Sequence, residues 1–239
     1  MDIDVRYTDG QYLAQTGNWH EDDARWKARH ILSLIGGAGL APHSVVDIGC
    51  GTGGVLANLQ SMMSQEVEFT GYEIAAPAFA VAEARSNPHL RFINGSALED
   101  DAAPLYDLAI VMDVFEHVPD YLGFIAGIRR LAKAFVFHVP LDISIRSLIN
   151  EWPMEARRTV GHIHYFTTPT AKATIAESGY RIDRAFHTHA IMHPPPQGWK
   201  MKLRRWPHKL LFSYNTDLCA KVLGGCSLMV LATPVADEG

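Results

Sequence analysis

The chain has 239 residues, 48% of them hydrophobic and 20% charged, an ordinary globular composition and a length that buries a core without staples. Its net charge of -5, with twelve histidines counted as neutral, disfavours a global nucleic-acid binder, which is usually basic. Three scattered cysteines (Cys50, Cys219 and Cys226) are too few for a disulfide framework or a zinc site and fit a reducing compartment.

From Glu21 to about Leu40 the apolar positions Ala24, Ala28, Ile31, Leu32 and Ile35 recur at helical spacing, and Gly36 and Gly37 offer a stop. A short apolar run, Ser44 to Ile48, ends in glycines and is followed by a helical segment from Val55 to Met63. The alternation continues: strand Val67 to Tyr72, helix Ala76 to Ser86, strand Leu90 to Asn94, strand Leu105 to Met112, helix Pro119 to Lys133, strand Ala134 to Val139. Residues 140–166 read as a polar, histidine-bearing insertion. A helix then starts with Thr168 as N-cap and Pro169 in its first turn, and runs to Ser178. Strands Tyr180 to His189 and Cys226 to Ala232 close the pattern, and a second insertion covers 190–225. Short apolar strands alternating with helices predict a mostly parallel sheet covered on both faces. The start MDIDVRYTDGQY lacks the apolar core of a signal peptide, and no apolar run approaches the length of about 18 residues that a membrane span needs. A cytoplasmic protein without stable membrane insertion is expected.

The most informative segment is VVDIGCGTGG, residues 45–54. Glycines at the end of a first strand let the backbone turn sharply, and the following helix presents free N–H groups to a ligand. Gly49, Gly51 and Gly54 also satisfy the dinucleotide pattern, so spacing alone leaves the cofactor open. Asp47 decides more. A pyrophosphate over this loop would face a carboxylate of like charge, whereas S-adenosylmethionine carries an ammonium and a sulfonium and no phosphate. Glu73, at the end of the second strand, lies 20 residues after Gly53, the spacing of a carboxylate that takes ribose hydroxyls. Tyr72 or Ile74 would pack on adenine. A solvated strand-end aspartate and an exposed loop glutamate are the bland alternatives.

In this order the motifs resemble those of class I S-adenosylmethionine-dependent methyltransferases, and in particular the ubiquinone-pathway O-methyltransferase-like group. VVDIGCGTGG is similar to the first motif, GYEI to the ribose motif and FINGSALED to the segment beside the adenine amino group. YDLAIVMDVFEHVPD resembles the motif bordering the methyl-transfer site, and GHIHYFTTPTAKATIAESGYRI the late helix–strand segment. The resemblance spans roughly residues 20–190. It implies a Rossmann-like α/β fold with a seven-stranded, mostly parallel sheet, helices on both faces, an N-terminal helical cap over 1–40 and a single domain over 1–239. It also implies that Asp47, Gly49 and Gly51 contact the methionine part and Glu73 the ribose, with Cys50 and Ile74 also at the cofactor. Gly95, Ser96 and Ala97 would border adenine, while Met112 and Asp113 would line the cofactor.

Methyl transfer needs alignment of a nucleophile, exclusion of water and, for a hydroxyl or protonated amine, a general base. His117 is the first candidate base, with His164 and His162 behind it; the Glu116-His117 pair reads equally as a helix cap. MDVFEH also resembles the segment in which ubiquinone-pathway O-methyltransferases hold a divalent cation by two acidic residues and a histidine. The corresponding set here is Asp113, Glu116 and His117. Aspartate is a shorter reach than glutamate at the first position, so no metal is expected. Tyr12, Trp19, His20 and Trp26 would form either a lid over the cofactor or a helix packed on the sheet. The basic stretch Lys200 to Lys209 would face an anionic acceptor or a membrane surface, or serve as a solvated or oligomer-contact face. The expected activity is methyl transfer to a small or medium-sized acceptor, with oxygen slightly favoured. A nicotinamide-dependent oxidoreductase and a non-catalytic S-adenosylmethionine-binding partner are the rivals.

Overall fold

The computed structural model describes residues 21–189 and 199–236. Tyr12, Trp19 and His20 lie outside them. The elements in chain order are α1 (Glu21–Gly37), β1 (Ser44–Ile48), α2 (Gly54–Met62), β2 (Glu68–Glu73), α3 (Ala76–Glu83), β3 (Leu90–Asn94), β4 (Tyr106–Met112), α4 (Tyr121–Ile128) and β5 (Ala132–Pro140). They are followed by α5 (Ile145–Ile149), α6 (Trp152–Thr159), α7 (Thr168–Glu177), β6 (Tyr180–Thr188), α8 (Trp199–Tyr214), α9 (Thr216–Val222) and β7 (Ser227–Pro234).

The strands form one sheet in the order β3-β2-β1-β4-β5-β7-β6. β1 to β5 pair in parallel, and β7 runs antiparallel between β5 and β6. Successive strand residues point to opposite faces, so the near-continuous apolar strands feed two cores. Val45, Leu108, Ile110 and Val136 pack with Ala28, Ile31 and Ile35 of α1 and Leu56 and Leu59 of α2. Val46, Ala109, Val111 and Phe137 face the other way, against Ile125 and Ile128 of α4 and Ala171 and Ile175 of α7.

Three local expectations shift. The N-cap of α7 is Thr167, not Thr168: the Thr167 hydroxyl accepts from Thr170 N and the Thr170 hydroxyl accepts from Thr167 N, a reciprocal cap. Thr168 is buried, with its hydroxyl 2.9 Å from His187 Nε2. The helix expected over 119–133 is shorter, because Arg129–Leu131 tighten into a 3₁₀ turn and Ala132 already pairs with Tyr106 of β4. Residues 140–166 carry two helices, of which α5 starts at a capping box made by Ser144 and Ser147.

Candidate active site

All strands from β1 to β5 point the same way, so their carboxyl ends share one edge, where ligands bind in open sheets of this kind. A cavity of about 1240 Å³ opens there. Asp47 and Glu73 both line it, as do Gly49, Cys50, Gly51, Ile74, Gly95, Ser96, Ala97, Met112 and Asp113. The glycine loop is built as its sequence demands. Gly49, Gly51 and Gly53 have φ of 80°, 55° and 77°, the left-handed region that side chains disfavour. Gly49 N and Cys50 N both donate to Tyr72 O, which ties the loop to the end of β2. Gly71 leaves room for this approach: a Cβ there would sit 2.7 Å from Cys50 Sγ and 2.6 Å from Phe92 Cδ1.

Glu73 is part of the same tie. Its Oε2 accepts from Gly51 N at 2.8 Å and its Oε1 from Ala75 N at 2.7 Å. Burial pushes its carboxyl up, and these N–H donors pull against that shift. Asp47 has less help. It is buried, its Oδ1 has no hydrogen-bond partner among the described residues, and burial with the Glu73 charge pushes its carboxyl up to about 8. Tyr72 is buried, with its hydroxyl donating to Asp100, and it lines the cavity beside Ile74, which is 42% exposed.

Beyond β4 lies a network the sequence reading missed. Asp113 has φ 56°, rare for a residue with a Cβ, and its carboxylate is held by Lys27 Nζ at 2.8 Å and His138 Nδ1 at 2.6 Å. Although burial raises it, the His138 and Lys27 charges hold Asp113 well below the usual carboxylate range. His138, at the end of β5, also reaches Thr188 Oγ1. Its position on the ligand-binding edge was the available signal. Trp26, in α1, packs edge-on against His138 and lines the cavity.

The histidines divide. His117 and His162 line the cavity with their rings 4.9 Å apart. His117 Nδ1 lies 3.1 Å from Gly161 O, and His162 Nδ1 lies 2.5 Å from Asp142 Oδ2. Asp142 also accepts from Trp152 Nε1 at 3.3 Å. His164 is not among the lining residues: its Nε2 donates to Val118 O and its ring packs on Tyr121. Asp113, Glu116 and His117 are not assembled as a set of three, because Lys27 and His138 occupy the Asp113 oxygens. The basic stretch lies in α8, whose Leu203, Trp206 and Leu210 are exposed. No helix among the described residues is long and apolar enough to cross a membrane.

A parallel sheet reversed only at β7, with a glycine loop after β1 and carboxylates closing β1 and β2, defines the α/β methyltransferase fold. A methyltransferase-domain family model matches residues 19–185, and the chain belongs to that family. Among curated proteins it is similar to ubiquinone biosynthesis O-methyltransferases. One from Nitrosomonas europaea is 29% identical over 148 residues, 55% of this chain and 61% of that protein. One from Vibrio vulnificus is 34% identical over 146 residues, 55% of this chain and 60% of that protein. The match thus spans about three-fifths of these relatives' length. Among solved structures, magnesium protoporphyrin IX methyltransferase from Synechocystis PCC 6803 shares the fold, with a TM-score of 0.59 at 14% identity over 88% of this chain and 83% of that one.

Proposed function

We propose that the chain is a single-domain enzyme that transfers the methyl group of S-adenosylmethionine to a hydroxyl oxygen of a small or medium-sized acceptor. The observation that carries this reading is the placement of Asp47 and Glu73 in one cavity with the glycine loop between them. A buried carboxyl with an unpartnered oxygen is costly until a donor or cation reaches it, and the ammonium of the methionine part is such a group. A diphosphate would bring negative charge to the Glu73 carboxylate and offer no donor to the buried Asp47 oxygen, which disfavours a dinucleotide. At Gly95 a Cβ would meet nothing within 4 Å, which leaves room for a flat base beside Ser96 and Ala97.

S-adenosylmethionine, when bound, supplies an electrophilic methyl on a sulfonium. The chain's own work is to hold and dehydrate. Asp47, Gly49, Cys50 and Gly51 hold the methionine end, Glu73 the ribose, and Ile74 the adenine face; Met112 walls the middle. The acceptor enters from the side of α5 and α6, and its hydroxyl loses its proton at the His117–His162 end of the cavity. The relatives' description as O-methyltransferases supports oxygen as the nucleophile.

The test has two parts. Titration followed by the fluorescence of Trp26 and its fellows should show saturable binding of S-adenosylhomocysteine and none of NAD; saturation by the dinucleotide alone would end the proposal. Transfer of tritiated methyl to a panel of hydroxyl and amine acceptors then reads the nucleophile, and labelling of amines only would remove O-methylation.

A further inference from the structure

Among the described residues, the lysine and arginine side chains that line the cavity are Lys27 and Arg146. Lys27 is spent on Asp113 at 2.8 Å. Arg146, in α5, is placed differently. No carboxylate among the described residues lies within ion-pair reach of it, and its side chain is held instead by His208 of α8, with Nη1 2.7 Å from Nε2.

His208 is the anomaly. It is 2% exposed, and its Nδ1 has no hydrogen-bond partner among the described residues, so its ring bonds to Arg146 alone. A guanidinium only donates, so Nε2 accepts and the ring proton sits on Nδ1. Burial, and then the charges of Arg146 and Arg205, hold the imidazole below the usual histidine range, which keeps it neutral. A carboxylate in its place would fix the guanidinium equally well but cancel its charge. A neutral imidazole fixes it and leaves the positive charge whole.

A guanidinium held in this way is prepared for an anion. One N–H is taken by His208; the others remain, among them the Nε–Nη2 edge, a planar fork that meets a carboxylate in two parallel bonds. Because the side chain is already ordered, less freedom is lost when a ligand arrives. The single charge suits a carboxylate better than a phosphate dianion, whose surplus would be repelled by Asp142 of the same cavity.

We propose that Arg146, positioned by His208, selects the acceptor by anchoring a carboxylate on it, so that the molecule methylated is a hydroxy acid. This deepens the methyl-transfer reading and rests on it for the identity of the occupant. It also gives the basic stretch of α8 a part in the site: it supplies the post that steadies the cation, and the cation itself comes from α5.

The test compares acids with their neutral counterparts. The full chain, saturated with S-adenosylhomocysteine, is titrated calorimetrically with meta-hydroxybenzoate, meta-hydroxycinnamate and an omega-hydroxyalkanoate, each beside its amide, and with meta-hydroxyphenyl phosphate. At least one acid should bind, its amide should be weaker by about 10–100-fold, and Arg146→Gln, a change at an exposed position, should abolish the difference. His208→Leu should lose the preference too, whereas His208→Gln, whose amide oxygen takes the place of Nε2, should keep it. Equal binding of acid and amide, a preference that survives in Arg146→Gln, no acid bound, or phosphate bound more tightly than the acids would each overturn the proposal. So would a loss of S-adenosylhomocysteine in Arg146→Gln with acids and amides bound alike, since Arg146 would then serve the cofactor. Failure of the unaltered chain to take up S-adenosylhomocysteine strikes the methyl-transfer reading instead, and the acid–amide comparison is then read on the ligand-free chain.

Discussion

Glu73 closes the glycine loop on itself: its Oε2 accepts the Gly51 N–H at 2.8 Å, while its Oε1 accepts the Ala75 N–H at 2.7 Å. One side chain thus shapes the loop and offers its remaining lone pairs to the crevice. Glu73→Ala should weaken S-adenosylhomocysteine by about 1.5–3 kcal/mol through lost charge-assisted hydrogen bonds. Calorimetric affinity equal to that of the unaltered chain would remove Glu73 from the site.

Asp47 makes ligand binding depend on pH. Its carboxyl sits at about 8 in the folded chain against 3.8 in the reference state, so at neutral pH it is largely protonated. An ammonium prefers the ionised form. Affinity for S-adenosylhomocysteine should therefore rise from pH 6 to pH 8, with a proton released on binding. Calorimetry in buffers of differing ionisation enthalpy reads that proton, and a flat affinity over the interval would contradict the assignment.

The same carboxyl sets a stability cost with a defined sign. The folded value is raised, so nothing is lost below about pH 4, and the cost of the buried charge grows as pH climbs towards 8. Asp47→Asn should leave the melting temperature of the ligand-free chain unchanged near pH 4. At pH 8 it should gain about 1–3 kcal/mol, equivalent to roughly 3–10 °C. Ligand affinity should fall in the same variant. Thermal melts at the two pH values check the difference.

Asp113 shows the opposite sign. Its folded value is depressed, so the pair with Lys27 stabilises above the reference value of 3.8 and is lost as pH falls through and below it. Asn tolerates positive φ, so Asp113→Asn removes the charge without adding backbone strain. Leaving Lys27 buried beside a neutral amide should destabilise by about 2–4 kcal/mol at pH 7, a difference that shrinks in acid. A denaturant midpoint unchanged at pH 7 would show that the pair contributes nothing.

Gly71→Ala tests the close approach of the loop. The new methyl would meet Phe92 and Cys50 at under 3 Å, with the loop backbone held by Tyr72 O. Overpacking there should cost about 1–3 kcal/mol in urea unfolding and also loosen S-adenosylhomocysteine binding. A neutral result would mean that Phe92 swings aside freely.

The parts of the fold legible in the sequence were those with a repeating signal. β1 to β5 are short apolar runs bounded by glycines or polar turns, and the loop after β1 announces itself by its glycines and Asp47. Element ends were harder. Thr167 and Thr168 are adjacent candidates for one cap, and only the burial of Thr168 beside His187 separates them. The insertion over 140–166 hid α5 and α6 because they are short, five and eight residues, and expose Ile145, Leu148, Ile149 and Met154 instead of burying an apolar face. His162 is held by Asp142, 20 residues away, and Asp113 by Lys27, 86 residues earlier. Such pairings are set by three-dimensional proximity, which one sequence without covariation does not encode legibly.

β7 is the last strand among the described residues, yet it lies between β5 and β6. During synthesis the edge of β5 therefore stays bare until residues beyond 226 have emerged, and β6 has no partner before then. Pairing across so long a separation is entropically slow. Ser227, which lines the cavity, and Thr188, which steadies His138, thus fall into place together, at the final zipping of the sheet. The nascent polypeptide acquires its loop after β1 early and its far wall late.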